Sequence, residues 1–158
     1  MFVRLENSLF RTCCFFGHRE IDETEELKEW LRSTIENLIA NEGVDTFLFG
    51  SRSRFNSLCH ELVGELKTKH PQIKRIYVRA EYPVISDSYR EYLLKEYEDT
   101  YYPQSAVGAN RAVYIKRNRE MIDKSRFCVV YCNGKHSSNG TKSALDYAIR
   151  KNKVIYRF

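Results

Sequence analysis

No apolar run in this 158-residue chain approaches the roughly 18 residues that a membrane-spanning helix needs. The opening Met-Phe-Val-Arg-Leu-Glu-Asn lacks the long apolar core of a signal peptide. The expectation is a cytoplasmic protein with no membrane partner. No C-x-x-C pair occurs either, and the five cysteines are an odd number. Cys13, Cys14 and Cys128 fall in apolar segments that read as strands, where a thiol behaves as a small hydrophobe. A disulfide framework is therefore not expected. Cys128 and Cys132 stand four apart, too far to bridge along an extended strand. Cys132, His136 and His18 are the one set that could meet above the sheet as metal ligands, but without paired spacing no metal is expected, and no cofactor. A dense basic stripe with interleaved aromatics is missing too. The net charge of +5 permits a nucleotide or nucleic-acid partner without requiring one. With no internal repeat, low-complexity tract or linker, residues 1–158 read as one domain.

What is present is an alternation of β and α patterns. Thr12–Gly17 is a continuous apolar run, typical of a parallel strand covered on both faces. Asp22 and Thr24 can cap a helix whose apolar positions Leu27, Trp30, Leu31, Thr34, Ile35 and Leu38 recur at helical spacing, and Gly43 closes it. Val44–Phe49 reads as a second strand, and Phe55 to Leu66 as a second helix. Pro71 then precedes a third strand, Ile73–Val78. From Arg79 to Asn110 the pattern breaks into a tyrosine-rich excursion with two of the three prolines. A short helix over Ser88–Tyr97 is expected there, and otherwise an extended cover over the sheet edge, a surface for stacking a base, or a dimer contact. Arg111–Lys124 reads as a helix with Val113, Ile115 and Met121 inward. Arg126–Tyr131 is a fourth strand. Thr141–Lys151 is a helix with Ala144, Leu145, Ala148 and Ile149 inward, and Val154–Phe158 is a fifth strand.

This alternation predicts a single Rossmann-like α/β domain of three layers, with a parallel sheet of about five strands in the order 3-2-1-4-5. Ligands of open α/β sheets bind beyond the strand carboxyl ends, where the order reverses. Two segments land on that point, Gly17-His18-Arg19 and the loop Ser137 to Thr141, and Gly50-Ser51-Arg52 lies beside them. In the Ser137 to Thr141 loop, Ser138, Asn139, Gly140 and Thr141 lie where the first free N–H groups of a helix point. Orphan amides and the helix dipole favour an anion there. His18 either bonds a backbone carbonyl at the strand end or meets ligand. Arg19 either pairs with a carboxylate between Asp22 and Glu26 or holds a phosphate with its fork. Arg52 and Arg54 beside a Gly-Ser turn suit an anion. Arg117 and Asn118 sit on the helix before the fourth strand. Glu91, Asp99 and Asp146 are carboxylates available for acid–base work, and the sequence does not rank them.

Taken together these residues resemble the SLOG superfamily, which unites DprA/Smf proteins, LOG phosphoribohydrolases and YpsA-like proteins. The likeness is closest to the YpsA-like branch and covers nearly the whole chain. It rests on Cys13-Cys-Phe-Phe-Gly-His-Arg19, on Arg117-Asn-Arg-Glu-Met121, and on Asn139-Gly-Thr-Lys-Ser-Ala-Leu-Asp-Tyr-Ala148. It implies a nucleotide-like phosphate ligand and links Arg117 to binding it. LOG enzymes carry Pro-Gly-Gly-x-Gly-Thr-x-x-Glu, whose glutamate helps cleave an N-glycosidic bond. Here Ser138-Asn139 replaces the paired glycines and Ala144 takes the glutamate position. A binder or sensor is thus the first expectation. A nucleoside 5′-monophosphate phosphoribohydrolase is the second, and DprA-like single-strand nucleic-acid binding the third. A homo-oligomer is compatible with each.

Overall fold

A computed structural model describes residues 8–133 and 139–158. Six strands form one sheet: β1 (Thr12–Gly17), β2 (Thr46–Phe49), β3 (Lys74–Val78), β4 (Asp99–Tyr101), β5 (Phe127–Tyr131) and β6 (Val154–Arg157). Every pairing is parallel, and the order is β4-β3-β2-β1-β5-β6. Among the helices of the described residues are α1 (Glu25–Ala40), α2 (Arg54–Lys67), α3 (Asp87–Leu93), α4 (Val113–Asp123) and α5 (Asn139–Arg150).

The period-2 geometry of β1 divides the core. Cys13 and Phe15 point to one face, where they pack with buried residues of α1 and α2. Cys14 and Phe16 point to the other, against Met121 and Ile122 of α4 and Ala144, Leu145 and Ala148 of α5. On the first face the Phe15 ring stacks between Phe47, at 5.8 Å, and Phe49, at 5.2 Å. Thr24 caps α1 by accepting the Leu27 N–H, and Ser53 caps α2 by accepting the Asn56 N–H.

The expected order of the five strands holds, with one addition. The excursion contains β4, which pairs with β3 as an edge strand. Three residues are too short to show a period in sequence. Side chains reinforce the backbone ladder there: Thr100 Oγ1 donates to the Tyr77 carbonyl at 2.8 Å and accepts from Arg79 Nη1 at 3.1 Å. The short helix ends at Leu93 rather than reaching Tyr97. Two inward assignments are also corrected. Ile115 is 48% exposed and Ile149 is 55% exposed. In α4 the inward stripe runs through Arg117, Met121 and Ile122, so Ile115 falls on the outer side.

Candidate functional site

β1 and β5 are neighbours at the centre of the sheet, and the helices that follow them pack on opposite faces. Their carboxyl ends therefore diverge around a crevice. A cavity of about 430 Å³ occupies it, and Gly17 after β1 and Gly140 at the start of α5 both line it. Arg19, Ser51, Arg52, Arg117, Asn118 and Thr141 complete most of its wall. Gly50 lines an adjoining cavity of about 230 Å³ that shares Arg19, Ser51, Arg52 and Arg117.

The two strand-end glycines have different reasons to be glycine. A Cβ on Gly17 would lie 2.3 Å from the Phe55 ring, so the first turn of α2 can seat against β1 only without one. A Cβ on Gly50 would lie 2.7 Å from Arg117 Cδ and 2.7 Å from Met121 Sδ. Gly50 thus opens the channel through which the Arg117 side chain passes. At Gly140 a Cβ would meet nothing within 4 Å, which leaves open space beside the amino end of α5.

Arg117 is the electrostatic centre of the site. Only 6% of it is exposed. Its Nη1 donates to the Gly50 carbonyl, and its Nε donates to Asn118 Oδ1 at 2.9 Å. Among the described residues it forms no ion pair. Burial accordingly pulls its pKa down, only partly offset by Tyr77, Tyr114 and Glu81. A buried guanidinium without a carboxylate is a costly arrangement that an anion relieves. Two of its five N–H groups are used by the protein, and the remaining donors match a phosphate oxygen geometry.

The other arginines sort themselves. Arg54, which the sequence groups with Arg52 as an anion contact, is taken: its Nε and Nη2 both reach Glu23 at 2.6 Å. That fork-to-fork pair occupies a carboxylate available in principle to Arg19. Arg19 is left on the cavity wall, with no ion pair among the described residues. Arg52 also faces the cavity, and the neighbouring Tyr77 hydroxyl raises its pKa. Ser51 Oγ accepts the Ser53 N–H at 2.9 Å, which shapes the turn between β2 and α2.

His18 does not line the cavity. It is 2% exposed, its ring stands edge-on to Tyr131 at 5.6 Å, and its Nε2 accepts the Asn133 N–H at 3.2 Å. That bond ties the end of β1 to the end of β5, with an amide as partner where a carbonyl was expected. Asn139 begins α5, and Thr141 is buried at the cavity wall. Ser137 and Ser138 lie outside the described residues, as does His136 of the proposed metal set. Among the described residues no group of three or more metal-ligating side chains comes together. Glu91, Asp99 and Asp146 are exposed and none lines this cavity.

Sequence reading missed Ser53 and Tyr114, both on the cavity wall. Ser53 carried a signal, a serine just before an apolar helical repeat. Tyr114 stands one turn before Arg117, and i, i+3 spacing puts the two on one face; the Arg117 Cζ lies 5.6 Å from its ring centre.

No protein-family model matches the chain, and no curated protein sequence matches it either. Among the described residues no helix is long and apolar enough to cross a membrane.

Proposed function

We propose that this domain is of the SLOG type, nearest the YpsA-like branch, and that it binds or senses a nucleotide or nucleotide-derived phosphate ligand in the switch-point cavity. The carrying observation is Arg117: a buried cation on the cavity wall with no carboxylate partner among the described residues. The amino end of α5 and the guanidinium groups of Arg19 and Arg52 line the same cavity. Amide dipoles and three positive charges converging on one concave space select for negative charge.

Binding is favoured over hydrolysis. Cleavage of an N-glycosidic bond requires a carboxylate near the anomeric carbon. Among the described residues none lines the 430 Å³ cavity. The motif position Ala144 is 4% exposed and packs in the core beneath α5. One acid, Glu81, lines the adjoining cavity and accepts a hydrogen bond from the Tyr114 hydroxyl at 2.6 Å. Isothermal titration with AMP, ADP and pyrophosphate tests the proposal. Saturable binding of at least one is the expected result, and no heat from any at high micromolar protein defeats it. Incubation with AMP followed by chromatography checks the runner-up: sustained release of adenine would place hydrolysis first.

A further inference from the structure

The switch-point cavity does not end at Arg52. Ser51 and Arg52 line three adjoining cavities in common: the 430 Å³ one, the 230 Å³ one, and a third of about 480 Å³ toward the tyrosine-rich segment. Tyr77 is shared by the second and third. Together they form a groove along the carboxyl edge of the sheet, cationic at one end and aromatic at the other.

We propose that this far end seats the nucleobase of a nucleoside 5′-diphosphate or a ligand built on one, with its phosphates between Arg52 and Arg117. This rests on the phosphate reading above and extends it. Two aromatic groups line the third cavity. In one, Tyr97 packs on His60 at 4.5 Å and on Tyr77 at 5.4 Å. In the other, Tyr89 stacks on Tyr92 along α3 at 6.2 Å and 18°. Among the described residues no ring contact joins the two groups. A cluster that only covered the sheet edge would close on itself; this one leaves a cavity within the size range of small-molecule sites. Tyr92 remains 65% exposed. A planar heterocycle between such groups gains stacking on both.

A second observation points the same way. Asn56 lines the third cavity and is 2% exposed. Its Nδ2 donates to the Phe15 carbonyl at 3.4 Å and to Ser53 Oγ at 3.2 Å, yet its buried Oδ1 accepts nothing among the described residues. Leaving a buried acceptor unused is unfavourable. An exocyclic amine, ring N–H or ribose hydroxyl is the donor class that satisfies it.

Titration calorimetry with ADP, GDP, CDP, UDP and pyrophosphate decides the matter. At least one diphosphate is expected to bind about tenfold or more tightly than pyrophosphate. The Tyr89→Ala, Tyr92→Ala double variant should lose that excess and keep its pyrophosphate affinity. Tyr89→Phe, which retains the ring, should keep both. If the double variant fails to fold by circular dichroism, Ser57→Trp takes its place. Ser57 lines the third cavity from an exposed position on α2, so an indole there fills the base site. Equal affinity for pyrophosphate and all four diphosphates overturns the base site while leaving the phosphate reading intact. An excess that survives the variants overturns it too. No binding of any of the five probes overturns both readings.

Discussion

Replacing Arg117 with methionine separates what this residue does for the fold from what it does for a ligand. Methionine has nearly the length of the aliphatic stem and can lie beside Met121 in the channel left by Gly50. The change removes a desolvated charge, which helps, and leaves the Gly50 carbonyl without its donor, which costs about 1–3 kcal/mol. The two nearly offset, so the unliganded variant should melt close to the parent. Ligand response should differ sharply. A charge-assisted hydrogen bond to phosphate is worth about 1.5–3 kcal/mol, or roughly a 10- to 150-fold change in Kd. At pyrophosphate equal to about 100 times the parent Kd, linkage raises stability by about 2.7 kcal/mol. For a chain of this size that is about 5–11 °C in Tm. With Kd about 30-fold weaker, the same concentration gives roughly 0.9 kcal/mol and about 2–3 °C. Differential scanning fluorimetry with and without pyrophosphate reads both quantities. A folded Arg117→Met protein that keeps the full thermal shift would refute the assignment of Arg117 to the anion.

The two pocket glycines should respond unequally to alanine. Gly17→Ala forces a methyl into the Phe55 ring and should destabilise by about 1–3 kcal/mol or more in urea unfolding, whereas Gly140→Ala meets open space and should stay within about 1 kcal/mol of the parent. Equal effects would mean that α2 does not seat against β1 as described. Partial burial disfavours charge on Glu98, but Arg75 and Lys67 outweigh it and hold the carboxyl down to about 2. A carboxyl lowered in the folded state stabilises above its unfolded pKa, roughly 4.3, and loses that contribution as pH falls toward 2. The stability gap between parent and Glu98→Gln, measured by denaturant titration from pH 6 to pH 2, should therefore shrink with acid; a constant gap contradicts the pairing. Burial raises the Cys13 and Cys59 thiols, and the Cys14 contact together with burial raises Cys128. Of the five thiols only Cys132 is partly exposed. Native protein should react with one equivalent of Ellman's reagent and denatured protein with five, and a second fast-reacting native thiol would dispute the packing of β1 against β5.

Periodicity carried the fold wherever a segment had enough residues to repeat. In α2 the apolar positions Phe55, Leu58, Cys59, Leu62, Val63 and Leu66 are all buried, because a long amphipathic helix has one way to lie on a sheet. The pattern failed where a polar group took an inward place. In α4 the reading placed Ile115 inside, but the inward stripe runs through Arg117. Nothing in a hydrophobicity pattern marks an arginine as buried, since its burial depends on an acceptor 67 residues earlier in the chain. β4 escaped for a related reason: its three residues are too few to repeat, and they are placed by the edge of β3 and by the Arg79–Thr100 contact.

The same logic separates the site residues. Loop glycines and the amino end of α5 could be read locally, because a strand–loop–helix junction at a switch point creates a crevice whatever the side chains are. Which arginine serves the crevice could not. Arg52 and Arg54 stand two residues apart, the second opening α2, and only the three-dimensional position of Glu23, which binds Arg54 with both oxygens, leaves Arg52 for the cavity. Gly50 makes the point most sharply. Its sequence role was a turn after β2, yet its side-chain space is filled by Arg117 and Met121 from α4. A methyl there would move the arginine before it moved the turn. Gly50 and Arg117 therefore act as one unit: the glycine lets the cation lie buried on the cavity wall, and its carbonyl holds one end of the guanidinium. On the proposed reading, specificity for an anion rests on that pairing across the sheet more than on the loop sequence.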